Sequence, residues 1–239
     1  MSAMPRPMRR CVRSPVFLAV LWVASAASFA QEKSVRPGIN KPFESPNVKE
    51  FEGKFERDGR EPFDHREKIV AACGIEAGMS VADVGAGTGL FSRLFAKQVG
   101  EKGRVFAVDI SDEFIEHIAK TAKEANLTNI QGVVCPPDSV NLSECSVDLV
   151  FLCDTYHHFE FPYKTVSSIH DALKPGGRLI LIDFRRIDGT SSEWTLSHVR
   201  AGQEVFEKEI LECGFKKACE IEGVLKENYM VVFEKPLSE

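Results

Sequence analysis

"VADVGAGTGL", Val81 to Leu90, runs an apolar strand into three glycines at alternating positions. A strand that breaks at Gly85, Gly87 and Gly89 and resumes as a helical pattern at Leu90 makes a sharp strand-to-helix turn. In an open α/β sheet, the first turn of this kind touches the ligand. Residues without Cβ atoms allow positive φ and let ligand atoms approach the main chain. The dinucleotide fingerprint, G-x-G-x-x-G, seats a pyrophosphate at a helix N-terminus. Here the spacing is compressed to G-x-G-x-G, and Asp83 stands two residues before the first glycine. A carboxylate at that point repels a pyrophosphate and suits an ammonium or sulfonium group, which argues against a nicotinamide oxidoreductase.

Outward from this turn the chain alternates. Apolar runs at 81–84, 105–108, 130–134, 149–153 and 179–182 are separated by helical patterns at 90–98, 112–124, 163–173 and 203–212. Strands apolar on both faces with helices between them predict a parallel sheet covered on both sides. The last two strand patterns, 218–221 and 229–234, are joined by a short polar segment with no room for a crossover helix, so they form an antiparallel hairpin at a sheet edge. The strand "RVFAVD" ends in Asp109, placed where an acidic side chain accepts hydrogen bonds from ribose hydroxyls. A helix is also expected over Asp64 to Cys73.

"VADVGAGTG", "VFAVDIS", "SVDLVFLCDTYHHF" and "LKPGGRLILIDF" resemble, in order and spacing, the class I S-adenosylmethionine-dependent methyltransferases, over roughly residues 61–235. The resemblance implies a Rossmann-like, doubly wound, seven-stranded sheet with an antiparallel C-terminal hairpin strand, and S-adenosylmethionine as cofactor. By motif position, Asp83, Gly85, Ala86, Gly87, Thr88 and Gly89 resemble the loop around the methionine moiety. Asp109 resembles the ribose-binding acid, with Ile110 beside the adenine. Asp138, in "CPPDSV", falls near the family's acidic adenine contact, although Pro136-Pro137 departs from the family pattern. The fourth strand ends in "CDTYHHFEFP", where the family places residues facing the methyl group and the acceptor.

Asp154, Tyr156, His157 and His158 carry groups usable in that position. Methyl transfer is an in-line displacement in which the protein aligns the acceptor and removes its proton where needed, and histidine suits that task near neutral pH. Two adjacent histidines on a loop are not expected to point the same way, so one faces the site. The pair alone is a poor chelate, and no metal is expected. Arg60, Asp64, His65 and Arg66, ahead of the core, and His198 and Arg200, in the segment from Trp194 after the fifth strand, are further acceptor-side candidates.

The 239 residues are 44% hydrophobic with a net charge of −5. An acidic chain does not neutralise phosphates in general, so nucleic acid is not an expected partner and a small-molecule acceptor is. The N-terminus has its own character. Arg6, Arg9, Arg10 and Arg13 precede "VFLAVLWVASAASFA", with small residues at Ser28 and Ala30. This order of charge, apolar run and small residues reads as a signal peptide over 1–30, followed by a linker over 31–50 and one methyltransferase domain over 51–239. An apolar run of about 15 residues is short for a stable membrane span. The expected location is therefore exported, with a membrane anchor or a mitochondrial transit peptide as alternatives. Export away from the cytoplasm, where the cofactor is made, leaves a second functional reading open: a non-catalytic S-adenosylmethionine or nucleoside-binding protein. Six cysteines follow residue 30, with no metal-ligand spacing, and free, mostly buried thiols are expected rather than a Cys213–Cys219 or Cys135–Cys145 bridge.

Overall fold

The computed structural model describes residues 31–237, and the segment read as a signal peptide lies outside them. The described chain runs α1 (Val48–Phe55), α2 (Glu61–Asp64), α3 (Arg66–Ala72), β1 (Ser80–Val84), α4 (Leu90–Val99), β2 (Arg104–Asp109), α5 (Asp112–Glu124), β3 (Ile130–Val134) and β4 (Val147–Cys153). It continues through α6 (Pro162–Ala172), β5 (Leu173–Phe184), α7 (Glu193–His198), α8 (Gln203–Glu212), β6 (Lys216–Glu220) and β7 (Asn228–Glu234).

The seven strands form one sheet in the order β3-β2-β1-β4-β5-β7-β6. β1 to β5 are parallel, and β7 runs antiparallel between β5 and β6. The expected edge hairpin is therefore present, with β7 inside and β6 outermost. Strand alternation divides the core between two faces. Ala82, Val150, Leu179 and Leu181 pack with Val166, Ile169, Phe206 and Ile210 on one side. Val81, Leu149, Phe151 and Ile180 pack with Ile69, Phe91 and Phe95 on the other. Burial on both faces is why these strands read as continuous apolar runs.

The strand order reverses between β1 and β4, and such a switch point opens a crevice beyond the C-terminal strand ends. Asp83 and Asp109, in the last two residues of β1 and the last of β2, and Asp183, near the end of β5, are the buried acids delivered to that edge.

Two expectations change. The helix expected over 64–73 is broken at His65 into α2 and α3. The stretch read as a linker carries a 3-10 turn at Lys41–Phe43 and the start of α1. The Asn47 side chain caps α1 by accepting from the Glu50 amide. Ahead of α1, Gln31 and Asn40 donate to the carbonyls of Glu160 and His158, and Arg36 donates to those of Ser197 and His198. Polar composition suggested an untethered segment, yet its polar groups bond to distant main-chain carbonyls. Among the described residues no helix is long and apolar enough to cross a membrane. The six cysteines are unbridged, and Cys145 and Cys219 are exposed rather than buried.

Candidate functional site

The glycine turn answers the question its spacing poses. All three glycines have positive φ, at 71°, 53° and 78°. A Cβ on Gly85 would stand 2.2 Å from the Thr155 side chain, and one on Gly89 would stand 2.7 Å from Ile118. Two of the three glycines therefore make room for the protein itself, one for the loop after β4 and one for α5. A Cβ on Gly87 would meet only the ring of Phe55, across the cleft. The Gly87 amide donates to Asp109 Oδ2 at 2.8 Å, and the Ser111 amide donates to Oδ1 at 3.1 Å. Those two bonds fix the Asp109 carboxylate at the cleft wall.

The cleft has a volume of about 480 Å³ and lies over the C-terminal ends of β1 and β4. Asp83, Gly85, Ala86, Gly87, Thr88, Asp109 and Ile110 line one end. Asp83 is 4% exposed and accepts a 2.6 Å hydrogen bond from Ser92 Oγ on α4. Burial, with a smaller contribution from the Asp109 charge, pushes its carboxyl up to about 7, against the lowering effect of Ser92. Asp109 is also raised, by burial, although three backbone amides oppose the shift. The Asp109 charge thus adds to the burial that disfavours ionisation of Asp83. Thr88 is occupied within the protein: its hydroxyl donates to Glu56 at 2.7 Å, and Arg93 pairs with the same carboxylate at 2.8 Å.

At the other end the chain after β4 turns sharply. Asp154 has φ +52° and is followed by a 3-10 turn over Tyr156–His158. With three residues per turn, successive side chains leave about 120° apart, so Tyr156 enters the core while His157 and His158 both border the cleft. The sequence expectation that only one histidine faces the site is thus overturned. Tyr156 is not a cleft residue: it is fully buried, and its hydroxyl bonds Glu209 at 3.0 Å. Arg200 pairs with Glu209 through both guanidinium nitrogens and lies 5.7 Å over the Tyr156 ring, so it belongs to the core as well.

His157 is 2% exposed, and its Nδ1 lies 2.8 Å from Asp183 Oδ1. The other Asp183 oxygen accepts from the His157 amide at 3.1 Å. This carboxylate fixes the ring and leaves Nε2 as its free nitrogen. Burial, then the neighbouring His157 and His198, lowers His158 to about 2, so it is neutral and a weak base. His198, from α7, brings its Nε2 to 3.3 Å from His158 Nε2. Burial lowers it too, to about 4. Trp194 stacks on His198 with centroids 4.6 Å apart, and Phe43 meets His158 edge-on at 4.9 Å.

Asp154 borders the cleft between the two ends and pairs with Arg60 at 2.7 Å. Of the other candidates ahead of the core, Asp64 accepts from the Gly59 amide and Arg66 donates to the Phe63 carbonyl. Asp64, His65 and Arg66 do not line the cleft. Asp138 is likewise displaced: the Pro136-Pro137 pair forms the cleft wall, and Asp138 turns outward to Lys164 at 3.3 Å. Asp183 was missed in the sequence although "LILIDF" signals it, as an acid closing an apolar strand just as Asp83 and Asp109 do. The aromatic wall of Phe43 and Phe55 was missed because its segment reads as polar.

A family model described as "Methyltransferase domain" matches residues 75–235. The Ubiquinone/menaquinone biosynthesis C-methyltransferase UbiE of Hydrogenovibrio crunogenus is 25% identical over 174 residues, 61% of this chain and 68% of that protein. The protein of the same name from Klebsiella pneumoniae is 26% identical over 114 residues, 47% of this chain and 45% of its own. The chain thus spans less than half the length of the second relative. The crystal structure of a SAM dependent methyltransferase from Aquifex aeolicus superposes with a TM-score of 0.70 at 24% identity, covering 80% of this chain and 99% of that one. The chain belongs to the methyltransferase-domain family, and it is a methyltransferase whose cofactor is S-adenosylmethionine.

Proposed function

We propose that this protein transfers a methyl group to a small, partly apolar acceptor seated at the histidine end of the cleft. The observation that carries this reading is the polarity of the cleft itself, with two buried carboxylates at one end and three imidazoles at the other. The first end fits the cofactor's chemistry. Asp83 offers negative charge to a cationic amino acid moiety, Asp109 offers acceptor oxygens to hydroxyls, and Gly87 leaves the main chain bare between them. Ala86 and Ile110 supply apolar wall, and Asp138 takes no part. S-adenosylmethionine supplies the methyl group.

At the second end, Phe43, Phe184 and Trp194 wall the space with rings, which suits an acceptor with apolar surface. Asp183 holds His157 in one orientation so that its free nitrogen activates the acceptor. Neutral His158 and His198 present ring nitrogens to the same space. The acidity of the chain, at −5, supports a small acceptor over a nucleic acid.

Asp109→Ala removes the acceptor oxygens and should weaken S-adenosylmethionine binding by about 10- to 150-fold, equivalent to about 1.5–3 kcal/mol for bonds to a charged group. Calorimetry measures it, and an unchanged dissociation constant would refute the ribose role. Methyl transfer to small-molecule extract, followed with labelled cofactor, tests the activity itself; transfer solely to protein or nucleic acid fractions would overturn the acceptor assignment.

Asp83 sets a pH dependence. Its carboxyl titrates near 7, and only the ionised form attracts a cation. Affinity for the cofactor should therefore rise as pH increases toward 7, by up to about tenfold per unit, and level off above it. Asp83→Asn should bind weakly and with a shallower slope, because the raised Asp109 carboxyl is then the acid left at this end. A flat profile between pH 5 and 8 for the unaltered protein would remove Asp83 from the binding site.

The Arg-led segment before Gln31 supports export of the domain, with cleavage after Ala30. Mass spectrometry of the native N-terminus after cell fractionation tests this. A chain starting at Gln31 outside the cytoplasm is expected, and an intact N-terminus in the cytosol would overturn it.

A further inference from the structure

We propose that His157, His158 and His198 form a binding site for a divalent transition-metal ion, with a fourth position open to an oxygen atom of the acceptor. The proposal rests on the reading of this end of the cleft as the acceptor site, and it names how the acceptor is gripped there.

The sequence argued against a metal because an adjacent histidine pair lacks further ligands. The fold supplies one. His198 arrives from α7, 40 residues after His158, and one ligand atom from each of the three rings lies within 4.8 Å of the others. His158 Nε2 and His198 Nε2 stand 3.3 Å apart. That separation matches a coordination edge. Nitrogens about 2.0–2.1 Å from a tetrahedral zinc ion stand about 3.3–3.4 Å apart.

The surroundings are those of a metal centre. Asp183 accepts from His157 Nδ1 at 2.8 Å, the carboxylate–histidine arrangement that fixes a ligand's tautomer and turns Nε2 toward an ion. Trp194 stacks on His198 and limits its rotation. Arg36 holds the carbonyls at the end of α7, which sets the position of His198 from the main chain. Three neutral nitrogen ligands with one open position favour zinc and its first-row neighbours over calcium or magnesium, which require oxygen donors. An ion so held would bind a hydroxyl, carboxylate or enolate oxygen of the acceptor and favour its deprotonated form, so that with His157 Nε2 committed as a ligand the activation assigned to this ring would act through the ion.

The test uses the purified chain, stripped with a chelator, dialysed and titrated with cobalt(II) chloride. One equivalent should bind and give the intense visible absorption of four-coordinate cobalt(II), and zinc chloride should displace it. His198→Ala should weaken binding by at least about 100-fold, and Asp183→Asn by about 10- to 100-fold. S-adenosylmethionine affinity, measured on every sample, reports whether the cleft is intact. No visible band at one equivalent in the unaltered protein, or a His198→Ala variant that retains cofactor affinity and binds cobalt equally well, would overturn the site. If the metal fails to bind while cofactor binding and methyl transfer persist, the site falls and the methyltransferase reading stands. If cofactor binding also fails in the unaltered protein, the earlier reading falls with it.

Discussion

His157→Ala is expected to lower kcat by about 100- to 10,000-fold, the loss typical of removing a group that activates a nucleophile, while changing the S-adenosylmethionine dissociation constant by less than about threefold. The two effects separate because His157 stands at the far end of the cleft from Asp83 and Asp109, with its position set by Asp183 rather than by the glycine turn. His158→Ala should cost less turnover, because burial keeps that ring neutral and no carboxylate supports a charge on it. Asp183→Asn should reproduce much of the His157→Ala loss, since a carboxamide can present its NH2 to Nδ1 and reverse the ring's tautomer. Single-turnover kinetics with saturating cofactor is the measurement. A His157→Ala enzyme at full rate would remove this residue from the chemistry.

Arg200→Ala should act on the fold instead. Arg200 and Glu209 are both about nine-tenths buried as side chains and meet through two hydrogen bonds, with the Tyr156 hydroxyl as the remaining partner of the carboxylate. Removing the guanidinium leaves a buried carboxylate without its counter-charge, which costs about 3–5 kcal/mol. For a chain of this size that is a fall in Tm of roughly 6–20 °C. Scanning calorimetry should record that fall while cofactor affinity and KM at permissive temperature stay close to those of the unaltered protein. A large rise in KM with an unchanged Tm would return Arg200 to the acceptor side, where sequence reasoning first set it.

That reassignment shows what kind of information the sequence held. β1, the glycine turn and Asp109 were legible because their pattern is local: strand periodicity, turn chemistry and an acid at a strand end lie within 30 residues of one another. The antiparallel hairpin was legible from the length of its connection. The acceptor end was legible only in part, because its geometry comes from contacts between remote segments. Nothing in "YHHF" tells that Tyr156 turns toward Glu209, 53 residues away, or that Asp183 waits 26 residues downstream. Arg60 and His198 were singled out, but their partners, Asp154 and His158, follow from the fold rather than from spacing. Asp138 was misplaced because the two prolines before it redirect the chain, and motif position carries no record of that turn.

The bonds of the N-terminal segment have a kinetic meaning. The Gly87–Asp109 bond closes a loop of 22 residues, whereas Asn40 reaches His158 across 118 and Arg36 reaches the end of α7 across 162. Closing longer loops costs more chain entropy before any contact rewards it. The glycine-turn half should therefore take shape early during folding and the histidine half last. Under mild denaturant the order reverses, and amide exchange should open the histidine end while the glycine-turn end is still closed.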